Sequence, residues 1–467
     1  MIKMEYVIYF GYFVALLVLV SAVGILIKGA LHFGSSRENS ALPLLLTYPI
    51  LIVVALTTIF GGRDLSISAD IIPVLQIKHP IVIWFSRLTN LFILLFSLER
   101  IVRYVFNPRS ERVGSYWLLI AYLVFYATNL ISPLLFGYRS FFANDQLYML
   151  FVGVAVILAT SDDMWNMIRH QRNALALFVF FSFIVLVVNP SMVTWSNYQG
   201  LIPGLSLRFS GLSNHPNVMG PLMVILLLLL FVKPFSNSWI NRIVWVLGLA
   251  GLLLAQSKTA WLATLAALTY LTYTNYRQQV VERFFDFRRP ALAASILSAL
   301  MLILLVASAF IMFGKFSFVD QFLLTREGSD LLTMTGRTDI WQIALREWQL
   351  HPLFGYGLSL FDDFHRMQYA LPAAVHAHSQ FYQVLASAGV IGVFGLIFYM
   401  ATLLILGIKV NNSSMGLSIA LLIVISFRSV SEVPLALHGL GLEQVVQLLL
   451  LMVIAGSLRH IQATSTI

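Results

Sequence analysis

Apolar runs of about twenty residues recur along this chain, with its charges confined largely to the gaps between them. A helix needs roughly 20 such residues to cross the hydrocarbon core of a bilayer. Of the 467 residues, 59% are hydrophobic and 10% are charged, against about 25% charged in soluble domains. The pattern predicts an all-α polytopic membrane protein. The first run, Tyr6 to Ile27, exceeds the ~7–15 residues of a signal-peptide core and reads as a retained helix. The chain has no cysteine, which removes disulfides, thiolate metal sites and a cysteine nucleophile from consideration.

Spans are expected near 6–27, 41–60, 80–98, 116–136, 146–160, 174–188, 218–232, 239–255, 259–273, 291–313, 380–406, 417–427 and 440–457, within a range of 12–14. Four segments follow. Residues 1–200 are N-terminal transmembrane helices, and 201–313 are helices carrying basic motifs at their outer ends. Residues 314–379 are a long outer loop with an amphipathic helix, and 380–467 are C-terminal transmembrane helices. No repeat or soluble domain interrupts them.

The connections alternate in charge. One set, including 99–115, 161–173 and 274–290, holds sixteen Lys and Arg, whereas the short connections of the other set, with the N-terminus, hold seven. The positive-inside rule puts the rich set in the cytoplasm. The same asymmetry accounts for the net charge of +9 without nucleic acid. Segment 314–379 falls outside, since loops of that length translocate largely regardless of charge.

Unusual polar residues then gather on the outer face. Arg208 lies in "LRFSGLSNHPNVMG", Lys258 in "AQSKTAW", Arg337 in "TGRTDIW", Arg428 and Glu432 in "FRSVSEVP", and His376 and His378 in "AVHAHSQFYQ". A cation near hydrocarbon costs about 2–3 kcal/mol even on lenient scales, so such residues read as functional. Each has a plainer reading. Lys258 could snorkel to headgroups, Arg428 could pair with Glu432 at i+4, and Arg208 could cap carbonyls. Together the cations favour an anionic ligand bound from outside. His215 in "NHPN" reads as a helix-start residue.

In "TGRTDIWQIALREWQLHPLFGYG", Thr338 is placed to cap a helix with Asp339 in its first turn. Trp341 and Trp348 suggest an amphipathic lid at the membrane interface, and Arg337 would add charge where helix N–H groups already attract anions. His351-Pro352 ends the helix, and Gly355 and Gly357 make the following turn flexible.

These motifs, in this order over roughly residues 200–440, resemble the O-antigen ligase and polymerase superfamily, with closest similarity to the Wzy or ExoQ type of exopolysaccharide polymerase. The resemblance implies a WaaL-like fold and a metal-independent, inverting glycosyltransferase of the GT-C class, with no cofactor. It implies an undecaprenyl-diphosphate-linked oligosaccharide donor, a glycan acceptor, and an active site on the periplasmic side of the bacterial inner membrane. A chain-length regulator and a flippase would be its partners. By the same resemblance His378 matches the histidine that opens the re-entering helix. Arg208, Arg337 and Arg428 match basic positions associated with diphosphate and sugar. Lys258 stands where the family often has Arg, and lacks the bidentate fork. The family's "HN" pair is here His378-Ser379.

The residues suit that chemistry on their own terms. A diphosphate is already a good leaving group, so the enzyme must neutralise developing negative charge and deprotonate an acceptor hydroxyl. Arginines serve the first task and a near-neutral histidine the second. His378 is the expected base, with His376 and Glu432 in support, and with Glu432 as second candidate for base. A metal held by His376-x-His378 with Asp362 or Asp363 is the rival reading of the histidines, set aside in favour of no metal. Two rival functions also stand: an O-antigen ligase transferring glycan to lipid A–core, and a non-enzymatic transporter of lipid-linked glycans. Proton-coupled carriers place carboxylates at mid-membrane, whereas here they sit at helix ends and in loops. Gly336-Arg337-Thr338 leans towards a polymerase.

Overall fold

The computed structural model describes residues 41–65, 79–106, 114–196, 205–286, 337–369 and 374–464, with isolated positions between them. In chain order its helices are α1 (Leu42–Phe60), α2 (Pro80–Phe106), α3 (Tyr116–Phe136), α4 (Tyr148–Ile157), α5 (Ser161–Val188), α6 (Pro216–Val232), α7 (Ser238–Leu254), α8 (Lys258–Phe284), α9 (Arg337–Leu350), α10 (Asp363–Gln368), α11 (Gln380–Lys409), α12 (Leu417–Ser431) and α13 (Val445–Thr464). Six of these, α1, α2, α3, α5, α11 and α13, are long and apolar enough to cross a membrane. The chain is an all-α, multi-pass membrane protein. Among the described residues the only sheet is a two-residue ladder, β1 (Thr194–Trp195) against β2 (Arg208–Phe209), with Trp195 opposite Arg208.

The expected spans 6–27 and most of 291–313 lie outside the described residues. Elsewhere α1, α3 and α7 match the expected spans to within a residue, whereas α2, α5 and α8 run well beyond the apolar stretches that announce them. Residues 161–173, expected as a cytoplasmic connection, are the first turns of α5. Thr160 and Asp163 cap each other's backbone there, and Arg100 of α2 pairs with Asp163 at 2.8 Å. Polar turns continue a helix where caps and ion pairs satisfy them. At 1.5 Å per residue, α5 spans about 42 Å, more than the bilayer core alone requires.

Two helices form the centre. In α6, and in α13 from Val445 to Leu458, nearly every side chain is buried, as expected of helical stretches that are apolar all round. Helix α6 packs on α5, α7 and α8; α13 packs on α4, α5 and α12; α3 packs on α11.

Helix α11 is broken. Gly389 sits at φ +65°, ψ −161°, a region open essentially to glycine alone. The helix groups freed there are taken up by the "HPLFGYG" loop. Tyr356 and Gly357 N–H donate to the carbonyls of Ala386 and Ser387 at 2.7 and 3.0 Å, while Val390 N–H donates to Pro352 O at 2.9 Å. A Cβ on Gly355 or Gly389 would collide with the opposing backbone. The turn expected to be flexible is therefore pinned against the helix. Non-helical backbone in a membrane protein is tolerated where protein re-satisfies it, and the loop does so here.

Helix α9 also departs from its expected place. It already includes Arg337, so Thr338 lies inside it. It rests on α11 with Ala344 and Glu347 buried. Trp341 stacks on Tyr382 with centroids 4.8 Å apart. Trp341 prefers this aromatic partner and a backbone carbonyl to headgroups, because its indole N–H is satisfied there. His351 ends the helix, as expected, and stacks on Tyr138.

Candidate functional site

The ends of α6, α8, α9, α11 and α12 meet around the carboxylate of Glu432, which follows the last turn of α12. Its Oε1 accepts from Asn217 Nδ2 at 2.8 Å and lies 3.5 Å from Arg337 Nη2. Its Oε2 lies 3.3 Å from His378 Nδ1 and 3.6 Å from His376 Nε2. The first of these is within ion-pairing distance but out of hydrogen-bonding alignment. Asn217 Oδ1 accepts in turn from Arg208, whose Nε donates to Ala255 O at 3.0 Å. Residues from five separate stretches of sequence are thus joined in one polar network.

Local structure holds each member. The "AVHAHS" loop is gripped on both sides of buried Ala377, whose N–H donates to Gln383 Oε1 at 2.8 Å and whose carbonyl accepts from Trp341 Nε1 at 2.9 Å. His378 takes a left-handed backbone, φ +48°, which costs a side-chain-bearing residue about 1–2 kcal/mol and is sustained by those contacts. His376 Nδ1 accepts the His378 backbone N–H at 3.1 Å. On the opposite wall His215 caps α6 by accepting Asn217 N–H at 3.1 Å, the helix-start role expected of it.

The charges follow from this geometry. Burial resists ionisation of Glu432, but His378, His376 and Arg337 outweigh it and hold the carboxyl down at about 2. Burial, with His378 beside it, pushes His376 down to about 4. The bond to His376 Nδ1 agrees, since a doubly protonated ring would lose that acceptor. Burial, with Arg208 nearby, also takes His215 to about 4. Within the network Glu432 is therefore an ionised carboxylate, His376 and His215 are neutral rings, and Arg208 and Arg337 are the guanidiniums.

His376, His378 and Glu432 bring three ligand atoms within 4.8 Å of one another, a spacing open to a metal ion. The donor set fits one poorly. With His376 Nδ1 engaged as an acceptor, the neutral ring carries its proton on Nε2 and turns no lone pair towards the carboxylate. Arg337 also brings positive charge to the same carboxylate. Neither aspartate considered for the site joins it: Asp362 caps α10 and Asp363 pairs with Arg366.

Of the residues expected at the site, Arg208, Arg337, His376, His378 and Glu432 converge. Lys258 opens α8 half-buried, and its neighbour Thr259 meets Ser431 at 3.3 Å. Arg428 departs from both readings given to it. Its guanidinium, on a side chain only 4% exposed, turns away from Glu432 and pairs with Glu443 at 2.8 Å. One helical turn separates Arg428 from Glu432, but Glu432 leaves the helix at φ −151° and its side chain takes another direction. Two participants carry little sequence signal. Asn217, which looks like ordinary helix punctuation, bridges Arg208 to Glu432. Arg63 binds the carbonyls of Met192, Gly211 and Ser213 at 2.8, 2.6 and 2.5 Å, and so fixes the loop that carries His215.

Residues 243–397 match the family described as O-antigen ligase. The match, over about a third of the chain, supports the O-antigen ligase/polymerase superfamily. The match takes in Lys258, Arg337, His376 and His378, whereas Arg208, Asn217 and Glu432 lie outside it. The Glu432 network therefore joins the O-antigen ligase segment to the chain on both sides of it. The family's members are glycosyltransferase-like enzymes, and the match supports an O-antigen ligase/polymerase-type function. A comparison with curated proteins finds no match.

Proposed function

We propose that this protein is a polysaccharide polymerase. It is a metal-independent, inverting glycosyltransferase of the GT-C class, joining undecaprenyl-diphosphate-linked glycans at the periplasmic face of a bacterial inner membrane. The observation that carries this reading is the convergence of His378, His376, Arg337 and, through Asn217, Arg208 on the Glu432 carboxylate.

In the proposed reaction the donor's diphosphate lies towards Arg208 and Arg337, with Lys258 nearby as a third cation. An acceptor hydroxyl attacks the anomeric carbon from the face opposite the diphosphate. The new C–O bond forms as the bond to phosphate breaks; the hydroxyl proton passes to His378, and the electron pair leaves with the phosphate oxygen. Glu432 is a positioning residue: its carboxylate faces His378 Nδ1, favours the proton on that nitrogen, and leaves Nε2 as the base. Held at about 2, Glu432 is too weak a base to compete for the proton. The arginines stabilise charge that grows on the leaving group, often the largest catalytic contribution. The poor fit of the donor set to a metal supports the metal-free reading.

The polymerase reading over a ligase rests on Gly336-Arg337-Thr338. Purified protein given one defined lipid-linked repeat unit should produce a ladder of products in the presence of EDTA. A product formed only when lipid A–core is added would make it a ligase. No product with either acceptor would remove the enzyme reading in favour of a carrier.

A further inference from the structure

A second cavity, of about 520 Å³, lies beside the Glu432 network, between α3, the 357–362 loop, the start of α11 and the 433–444 loop. It falls within the range of pockets that hold small ligands, about 300–1,000 Å³. His376 lines it and also faces Glu432 at 3.6 Å, so this ring stands between the cavity and the network.

Its lining differs in chemistry from the cationic side. No arginine or lysine lines it among the described residues. Amides do: Asn129, Gln380, Gln383 and Gln444. Gln380 is 4% exposed, and its Oε1 is spent on Leu435 N–H, which leaves its Nε2 without a described partner. Asn129 stands on a π-turn of α3, donates to Gly392 O at 3.0 Å, and keeps an unpaired buried Oδ1. Such turns recur at functional sites. Asp145 adds a carboxylate, and Glu443 also lines the cavity, with its charge met by Arg428. Acidic side chains repel a diphosphate, whereas amides and carboxylates together pair with the donor and acceptor faces of sugar hydroxyls.

We infer that this cavity is the berth of the acceptor glycan, separated by charge from the donor's diphosphate, with the histidines on the boundary. The inference rests on the glycosyltransferase reading above. It assigns recognition of the acceptor sugar to α3, residues 141–146 and the 433–444 loop, which lie outside the O-antigen ligase segment at 243–397, together with Gln380 and Gln383 inside it.

The test uses two substitutions at the cavity wall that leave the Glu432 network untouched: Asp145→Asn, which removes a charge, and Ala143→Trp, which fills space. The acceptor probe is the repeat-unit oligosaccharide released from the donor lipid, and its binding to full-length protein is read by saturation-transfer NMR. Donor binding is measured separately with undecaprenyl diphosphate, and doubles as the check that each variant is folded. Loss of one hydrogen bond to a charged group should weaken acceptor binding by about 10-fold, and the tryptophan should abolish it, with donor affinity unchanged. A parallel loss of donor affinity in a variant that remains monodisperse, or unchanged acceptor binding in both variants, would overturn the proposal. Because binding is read without turnover, failure of the wild-type protein to form product would sink the enzymatic reading alone.

Discussion

Glu432 Oε2 lies 3.3 Å from Nδ1 of His378, bringing together residues that are more than fifty positions apart in the sequence. A carboxylate so placed favours the proton on Nδ1 and stabilises the cation the imidazole becomes on taking a second one. Glu432→Gln keeps the shape and removes the charge. The expected result is a fall in kcat of roughly 10²-fold or more, with the donor KM changed far less. An equal fall in donor affinity would make Glu432 a binding residue instead.

Arg337 and Arg428 should separate by phenotype. Arg337 faces Glu432 at 3.5 Å and retains exposure, so Arg337→Ala should weaken donor binding about 10-fold, the worth of one charge-assisted bond, and leave acceptor binding intact. Arg428→Ala leaves Glu443 without its partner. Its effect should appear as a lowered unfolding temperature in detergent, with donor affinity near that of the wild type.

Much of this arrangement was legible in the sequence, and the reasons for the rest are physical. Apolar run length marks a helix, because hydrocarbon sets that length, and the outer-face cations stand out because they are costly there. Direction of a side chain beyond a helix end is another matter. Nothing in "FRSVSEVP" indicates that Glu432 turns inward while Arg428 turns to Glu443. The break at Gly389 is likewise hidden, since "ASAGVIG" reads as a continuous helix until a loop some thirty residues upstream is docked against it. Asn217 is invisible because its role depends wholly on what faces it.

That break makes its own demand. Gly389→Ala must place a Cβ against the Leu353 carbonyl at a backbone conformation reserved for glycine. Backbone strain alone costs about 1–3 kcal/mol. The variant should show a lower unfolding temperature and faster proteolysis of the 352–357 loop. Gly24→Ala, which meets no neighbouring atom, is the control.

Acid should loosen the site from two directions with one sign. His376 is held near 4 against an ordinary 6.5. Between those values the unfolded chain takes up a proton that the fold refuses, so stability falls as pH drops through that window. Glu432 is held near 2 against 4.5. Its contribution is complete above 4.5 and is lost as pH falls towards 2. His215, also held near 4, adds to the loss over the same window. Unfolding temperature measured from pH 7 to pH 4 should decline, and His376→Asn should reduce the decline above pH 4.5, with His376→Asn and His215→Asn together flattening it.

The most direct measurement is single-turnover product formation by His378→Ala with lipid-linked donor, with and without added imidazole. The account expects turnover to fall by roughly 10²–10⁴-fold, donor binding to persist, and imidazole to restore part of the rate. Turnover near the wild-type level in that variant would show that His378 does not take the proton, and would contradict the account at its centre.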